Sequence, residues 1–199
     1  MYHFFDSFFK KNIIFNIYFV NWMDSMNKKR CVSNPKGGFN KTYKLSVIYT
    51  DGSCLGNGKS NNVGGWAYII NNNGVRNCNS GRVFNTTNQV MELTACLEAL
   101  KSVPPDTTNV DIYSDSAYLI NCMLYKWYEK WIRKNWINST GGKVVNRDLW
   151  EQILQYNNIY IVRYKKVHAH SGDLNNERVD KMARDAAKGT NLEYKVCIF

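Results

Sequence analysis

The 199-residue chain contains no CxxC pair and no Cys/His cluster. Its six cysteines, Cys31, Cys54, Cys78, Cys96, Cys122 and Cys197, are scattered. That argues against a zinc site and for reduced thiols in a cytosolic or nuclear-type compartment. No apolar run reaches the roughly 18 residues a membrane-spanning helix needs. No internal repeat is visible. Acid is also scarce: 16 Asp and Glu stand against 26 Lys and Arg, a formal net charge of +10. A balance that basic points to a polyanion partner, either nucleic acid or an acidic membrane surface, and a solvated basic face is the plainer alternative. What is present is ordinary for a globular chain, with 44% hydrophobic and 21% charged residues. The length suits one domain with a good core plus some extra sequence.

The extra sequence is expected at the start. Residues 1–43 read as an appendage, apolar through Phe4, Phe5, Phe8, Phe9, Ile13, Ile14 and Phe15 but interrupted by Lys10 and Lys11. A secretory signal is poorly supported, because Asn16 breaks the apolar run from Ile13 to Val20 and no small-x-small exit follows. A mitochondrial presequence is poorly supported too, since Arg and Ser are sparse. Lys28, Lys29 and Arg30 precede the breakers Pro35, Gly37 and Gly38, which together read as a basic, flexible linker. Met23 and Met26 are alternative starts. The expected organisation is a poorly ordered extension over 1–43, a folded domain over 44–190 and a tail over 191–199.

The regular part begins with LSVIYTDGSCLGN, Leu45 to Asn57. Apolar and β-branched residues alternate there, which predicts a strand. The strand is expected to end at Asp51, because Gly52 follows as a turn signal. A carboxylate is then left at the carboxyl edge of a sheet, where ligands of open α/β sheets gather. A second strand is predicted over Trp66 to Ile70 and a third over Val75 to Phe84, joined by the hairpin signal Asn73–Gly74. A helix is predicted from Asn88 to Ser102, with Leu93, Cys96, Leu97 and Leu100 on one buried stripe, and Pro104 and Pro105 end it. A short strand from Val110 to Ser114 ends at Asp115. Helical segments run to Trp136, a Gly141–Gly142 break follows, and another helix spans Arg147 to Tyr156. The last strand is predicted over Ile159 to Val167. The final helix, Leu174 to Lys188, has the stripe Val179, Met182, Ala183 and Ala186. Strands in a row followed by alternating helix and strand predict a mixed sheet with helices on it.

Four acids fall at telling places in this pattern. Asp51 and Asp115 end apolar strands, and Glu92 and Asp180 border buried helical stripes. An acid on such a border costs desolvation unless its charge is compensated, usually by a salt bridge or by exposure. If the strands before Asp51 and Asp115 are parallel neighbours, the two carboxylates emerge together and repel unless a cation lies between them. Oxygen donors without thiols suit a hard ion such as Mg²⁺. A pair of such ions about 4 Å apart can activate water against a phosphodiester.

Four motifs carry a resemblance: TDGSCLGN at Thr50–Asn57, TTNQVMEL at Thr86–Leu93, YSDSAY at Tyr113–Tyr118, and HSGDLNNERVDKMAR at His170–Arg184. In this order and spacing the chain, from Leu45 to about Ala187, resembles ribonuclease H of type 1. The resemblance implies an α/β fold with a five-stranded mixed sheet of order 3-2-1-4-5, strand two antiparallel and helices flanking it. It implies that Asp51, Glu92, Asp115 and Asp180 are catalytic and hold two Mg²⁺ ions, for which Mn²⁺ can substitute. It assigns His170 to proton transfer or product release, and His168 matches no catalytic position. The implied activity is cleavage of the RNA strand of RNA–DNA hybrids, leaving 5′-phosphate and 3′-hydroxyl ends, in a monomer with no membrane role. The expected setting is the cytoplasm or wherever replication occurs, and not secretion.

The resemblance extends to substrate contacts. Cys54, Asn57, Asn88 and Gln89 match the RNA-strand side, and amides, with both donors and acceptors, suit a 2′-hydroxyl. Thr87 and Asn146 match a pocket for a DNA phosphate. Tyr118, Trp127, Trp131 and Ser139 match further DNA-strand contacts. The stretch from Tyr125 to Arg147 holds Lys126, Lys130, Arg133, Lys134, Lys143 and Arg147 against Glu129 alone, with Trp127, Trp131 and Trp136 among them. Aromatics interleaved with bases make a groove for a nucleic-acid backbone. In the resemblance this is the basic protrusion of cellular type 1 enzymes. Two departures stand out. Asn85 occupies the place where the phosphate pocket usually has arginine, with Arg82 nearby but out of register. The span from Asp115 to Trp127 is also one residue longer than usual. The first 43 residues do not resemble the hybrid-binding domain of eukaryotic members. A non-catalytic hybrid-binding module and a fold relative acting on DNA junctions or in transposition are the competing readings.

Overall fold

The computed structural model describes residues 44–169 and 172–190. The extension, the tail and His170 lie outside the described residues.

Alternation builds the first strand, β1 (Leu45–Leu55): Ser46, Ile48 and Thr50 are buried on one face, while Leu45, Val47 and Tyr49 are only half covered on the other. The strand does not stop at Asp51 as expected. The parallel pairing of β1 with β4 (Asn109–Ser114) ends at Tyr49↔Tyr113, but its antiparallel pairing with β2 (Val63–Asn72) continues to Leu55↔Val63. Asp51 therefore sits where one neighbour has left the sheet and the other has not. Gly52 makes no turn; it pairs opposite Trp66. The hairpin from β2 to β3 (Val75–Phe84) turns on Asn73 (φ 51°) and Gly74 (φ 91°). A two-residue type I′ turn needs positive φ at both central residues, which asparagine followed by glycine adopts readily.

Five helices complete the described residues: α1 (Asn88–Lys101), α2 (Ala117–Leu124), α3 (Trp127–Arg133), α4 (Arg147–Ile159) and α5 (Leu174–Lys188). Three start on side-chain caps. Thr87 accepts from Val90 N, Ser116 from Leu119 N, and Asp173 from Asn175 N and Asn176 N. Gly189 closes α5 at φ 76°. Lys126, at φ 52°, separates α2 from α3. The last strand, β5 (Ile161–Lys166), is shorter than expected because α4 runs on to Ile159. The sheet order is β3-β2-β1-β4-β5, with β2 antiparallel to both of its neighbours. This is the expected mixed sheet.

The sheet carries a core on each face. On one side Ile48, Ile70 and Ile112 meet Leu93, Cys96 and Leu100 of α1 and Trp150 and Ile153 of α4. On the other, Ala67, Ile69 and Cys78 meet Val179, Met182 and Ala183 of α5. Each fully buried Ile or Leu contributes about 1.5–3 kcal/mol, so both faces are strongly specified. The α5 stripe closes on Ala187 rather than the expected Ala186, which is only partly covered. Cys54, Cys96 and Cys122 are free thiols. Among the described residues no helix is long and apolar enough to cross a membrane.

Two glycines set how closely the helices lie on the sheet. A Cβ on Gly52 would stand 2.2 Å from Glu92 N, and one on Gly65 would stand 2.1 Å from Ala183 O. α1 thus rests directly on β1, and α5 on β2, at the points where each brings an acid forward.

Candidate active site and nucleic-acid surface

Asp51 comes from β1, Glu92 from the second turn of α1, Asp115 from the end of β4 and Asp180 from the middle of α5. The Asp51 side chain is buried, and burial is the main reason its carboxyl is pushed up to about 8. The negative charges of Asp115, Asp180 and Glu92 push in the same direction, against a hydrogen bond from the Gly52 backbone. Burial also raises the Glu92 carboxyl and the charge of Asp115 adds to this, while hydrogen bonds from Ser116 and Asn88 oppose it. The four acids therefore share one negative field, centred on Asp51.

Two of them are held by local donors. Asn88 Nδ2 donates to Glu92 Oε1 at 2.9 Å, and Ser116 Oγ donates to Glu92 Oε2. Arg184 Nη1 donates to both oxygens of Asp180. With these oxygens so directed, no three His, Cys, Asp or Glu side chains among the described residues close into a ready cage for an ion. The donor set still fits a hard divalent ion: oxygens only, one carboxyl buried, and a mutual repulsion that an added cation would relieve. Ser116 is a member of the site that the sequence did not single out. Its N-cap role in α2 fixes its hydroxyl, and its position immediately after Asp115 was the available signal.

The expected RNA-side residues gather beside the acids. Asn57, in the loop after β1, accepts from Asn88 N at 3.2 Å. Cys54 Sγ donates to Thr86 O at 3.7 Å, and burial raises its thiol. Gln89 is exposed on the first turn of α1. Asn62 ties the two loops together. Its Oδ1 accepts from Thr86 N at 2.7 Å and its backbone carbonyl accepts from Asn85 N at 2.9 Å. Asn62 was missed because an Asn in an Asn-rich loop gives no local sign of a distant backbone partner.

Of the expected DNA-side residues, Thr87 is occupied as the α1 cap, and Asn146 takes φ 59° ahead of α4 without capping it. Asn85 is also left-handed, at φ 53°. The Arg82 guanidinium lies 4.8 Å from the Phe84 ring and beside Gly189 at the end of α5.

The basic stretch forms a separate surface. Trp127, Lys130, Trp131, Lys134, Ile137, Asn138 and Ser139 line a pocket of about 390 Å³. Trp131 is anchored edge-on to Trp150 at 5.7 Å. Asn138 Oδ1 accepts from Thr140 N and Gly142 N, which shapes the turn that presents Ser139. Tyr118 is half-buried: its hydroxyl accepts from Trp150 Nε1 at 3.0 Å, and burial raises it. Arg147 and Lys126 are paired with Glu151 and Glu129.

Comparison with known proteins accounts for this arrangement. The family described as RNase H matches residues 43–188. The ribonuclease H of Syntrophomonas wolfei subsp. wolfei is 42% identical over 145 residues, covering 73% of this chain and 97% of that protein. The crystal structure of LC9-RNase H1, a type 1 RNase H with the type 2 active-site motif, superposes with a TM-score of 0.65 at 28% identity, covering 76% of this chain and 75% of that one. LC11-RNase H1 in complex with an RNA/DNA hybrid shares the fold at a TM-score of 0.53 and 18% identity, covering 73% and 98%. With its whole regular part matched, and its acids coming from two strands and two helices around one sheet edge, the chain belongs to the ribonuclease H family, type 1.

Proposed function

We propose that this ribonuclease H, which cleaves the RNA strand of RNA–DNA hybrids, does so with Asp51, Glu92, Asp115 and Asp180 holding two Mg²⁺ ions. The observation that carries this reading is the Asp51 carboxyl, buried and under the charge of three other acids. A buried carboxyl crowded by other acids is costly to ionise, and a divalent cation among them would offset that cost. Bound there, the ions supply Lewis-acid activation of water and of the phosphodiester, and Mn²⁺ can take their place.

The chain's own residues do the rest. Asn88 and Ser116 keep the Glu92 carboxylate turned toward the site. Asn57, Cys54 and Gln89 offer the RNA strand donors and acceptors suited to 2′-hydroxyls. The tryptophan–lysine pocket with Ser139, together with the half-buried Tyr118, offers the DNA strand a backbone-tracking surface. Thr87 and Asn146 offer a phosphate two polar side chains. His170 is the proton-transfer or product-release group of this reading. Water attacks phosphorus and the RNA 3′-oxygen departs, leaving 5′-phosphate and 3′-hydroxyl ends. Contacts to backbone and sugar rather than to base edges give low sequence specificity.

The test is cleavage of an end-labelled hybrid by wild type and by Asp115→Asn, in Mg²⁺ and in EDTA. The variant is expected to bind the hybrid without cutting it, and wild type is expected to stop cutting in EDTA. Turnover by Asp115→Asn at the wild-type rate would overturn the metal-ligand assignment. A panel with duplex DNA and duplex RNA separates this activity from action on DNA junctions.

A further inference from the structure

Asp180 differs from the other three acids in that both of its carboxylate oxygens are engaged by a cation of the protein itself. Arg184 lies one turn further along α5, and its Nη1 donates to Asp180 Oδ1 at 2.5 Å and also to Oδ2. The side chains are 19% and 42% exposed, so the pair is wet enough to open. The four-residue spacing puts both side chains on one face of α5, so the pair needs no tertiary contact. Docking of α5 on Gly65 then brings the paired carboxylate into the field of Asp51, where its charge is felt. Two cations therefore have a claim on the same oxygens: a guanidinium tethered to the helix, and a divalent ion between the four acids.

We propose that Arg184 is a tethered counter-ion that competes with the divalent ion for Asp180. It satisfies the carboxylate before an ion binds, and it must give up at least one oxygen for the ion to be held. The inference rests on the metal-binding reading above. Arg184 is thus a positioning residue, acting through Asp180 on metal affinity. Lys181, on the same helix, pairs with Asp185 instead and supplies a control of equal charge.

The experiment is calorimetric titration of the full-length protein with MgCl₂ alone, without nucleic acid. Arg184→Gln is expected to bind Mg²⁺ roughly two- to five-fold more tightly than wild type, the range an exposed ion pair can impose. Arg184→Met, which keeps the apolar stem, is a second neutral variant read in the same way. Arg184→Lys should stay close to wild type, and Lys181→Gln should tighten binding less than Arg184→Gln does. In an Asp180→Asn background, Arg184→Gln should change nothing. Affinity equal to or below wild type in both neutral variants would overturn the proposal. So would equal tightening by Lys181→Gln, because charge alone and not the pair would then explain the effect. A wild-type protein that takes up no Mg²⁺ would overturn the metal-binding reading itself, and the counter-ion role with it.

Discussion

The backbone of Glu92 occupies the space where a side chain on Gly52 would have to be, since a Cβ there would lie 2.2 Å from Glu92 N and 2.4 Å from Met91 C. Gly52 immediately follows Asp51, so a single missing methyl group sets the distance between the strand that carries one acid and the helix that carries another. The obstacle is backbone on both sides and cannot rotate away.

Gly52→Ala is therefore expected to destabilise the protein by about 3 kcal/mol, the upper end of ordinary overpacking costs. Displacing α1 also moves Glu92, so hybrid cleavage should fall further than the folded fraction does. Urea unfolding alongside cleavage at a temperature where the variant is still folded checks both. A variant with wild-type stability would show that α1 does not rest directly on β1.

Burial, reinforced by the neighbouring acids, pushes the Asp51 carboxyl up to about 8, so without an ion folding near neutral pH must carry a proton onto it, a cost that an amide avoids. In EDTA, Asp51→Asn should unfold at a higher temperature than wild type, by about 1 kcal/mol or more, roughly 2–4 °C or more for a domain of this size. Adding Mg²⁺ should raise the wild-type midpoint and raise the variant's less, because an ion bound to the folded state stabilises it by mass action. Thermal unfolding by circular dichroism with and without Mg²⁺ reads both. A variant less stable than wild type in EDTA would contradict the charge argument.

Asp111 is a buried acid with a different fate. Burial alone would push its carboxyl up, but hydrogen bonds and charges from Lys165 and Arg163 outweigh this and hold it below the ordinary carboxylate range. The unfolded chain thus takes up its proton at a higher pH than the folded one does. The stabilisation is complete above the unfolded value, near about 4, and is lost as pH falls through the folded value. Because Arg163 and Lys165 are about half exposed, screening reduces its worth to about 1 kcal/mol. Asp111→Asn should lose that much at pH 7 and converge on wild type in strong acid, as seen in urea midpoints across pH. A difference that persists unchanged at low pH would point to packing instead.

The tryptophan–lysine pocket predicts a salt-dependent effect on binding that is separable from chemistry. Removing one cation that neutralises a phosphate reduces the slope of log affinity against log salt by about 1. Lys130→Ala combined with Lys134→Ala should lower that slope by about 1–2 and weaken hybrid binding, while the cleavage rate at saturating hybrid changes little. Both lysines are exposed, so the fold should survive. Anisotropy titrations at several salt concentrations check it, and an unchanged slope would place the DNA strand elsewhere.

The sequence alone determined the pieces that depend on local chemistry. The Asn73–Gly74 turn and the stripe Leu93, Cys96, Leu97 and Leu100 were legible, because turn angles and periodicity act over a few residues, whereas the Thr87 and Asp173 caps emerged only with the structure. So was the chain's richness in asparagine, though not its purpose: Asn61, Asn73, Asn85, Asn135 and Asn146 all take positive φ, which asparagine tolerates better than other side chains. Tertiary structure decided what depends on partners far along the chain. Gly52 read as a turn and proved to be a landing place for α1, because the helix that needs the space lies some forty residues away. Asp51 read as the end of a strand and proved to lie within one, because β2 pairs beyond the point where β4 departs. The engagement of Glu92 by Ser116, and the sharing of one field by four acids, follow from which strands are neighbours. That is settled by burying apolar surface on both faces of the sheet, and no short stretch of sequence contains it.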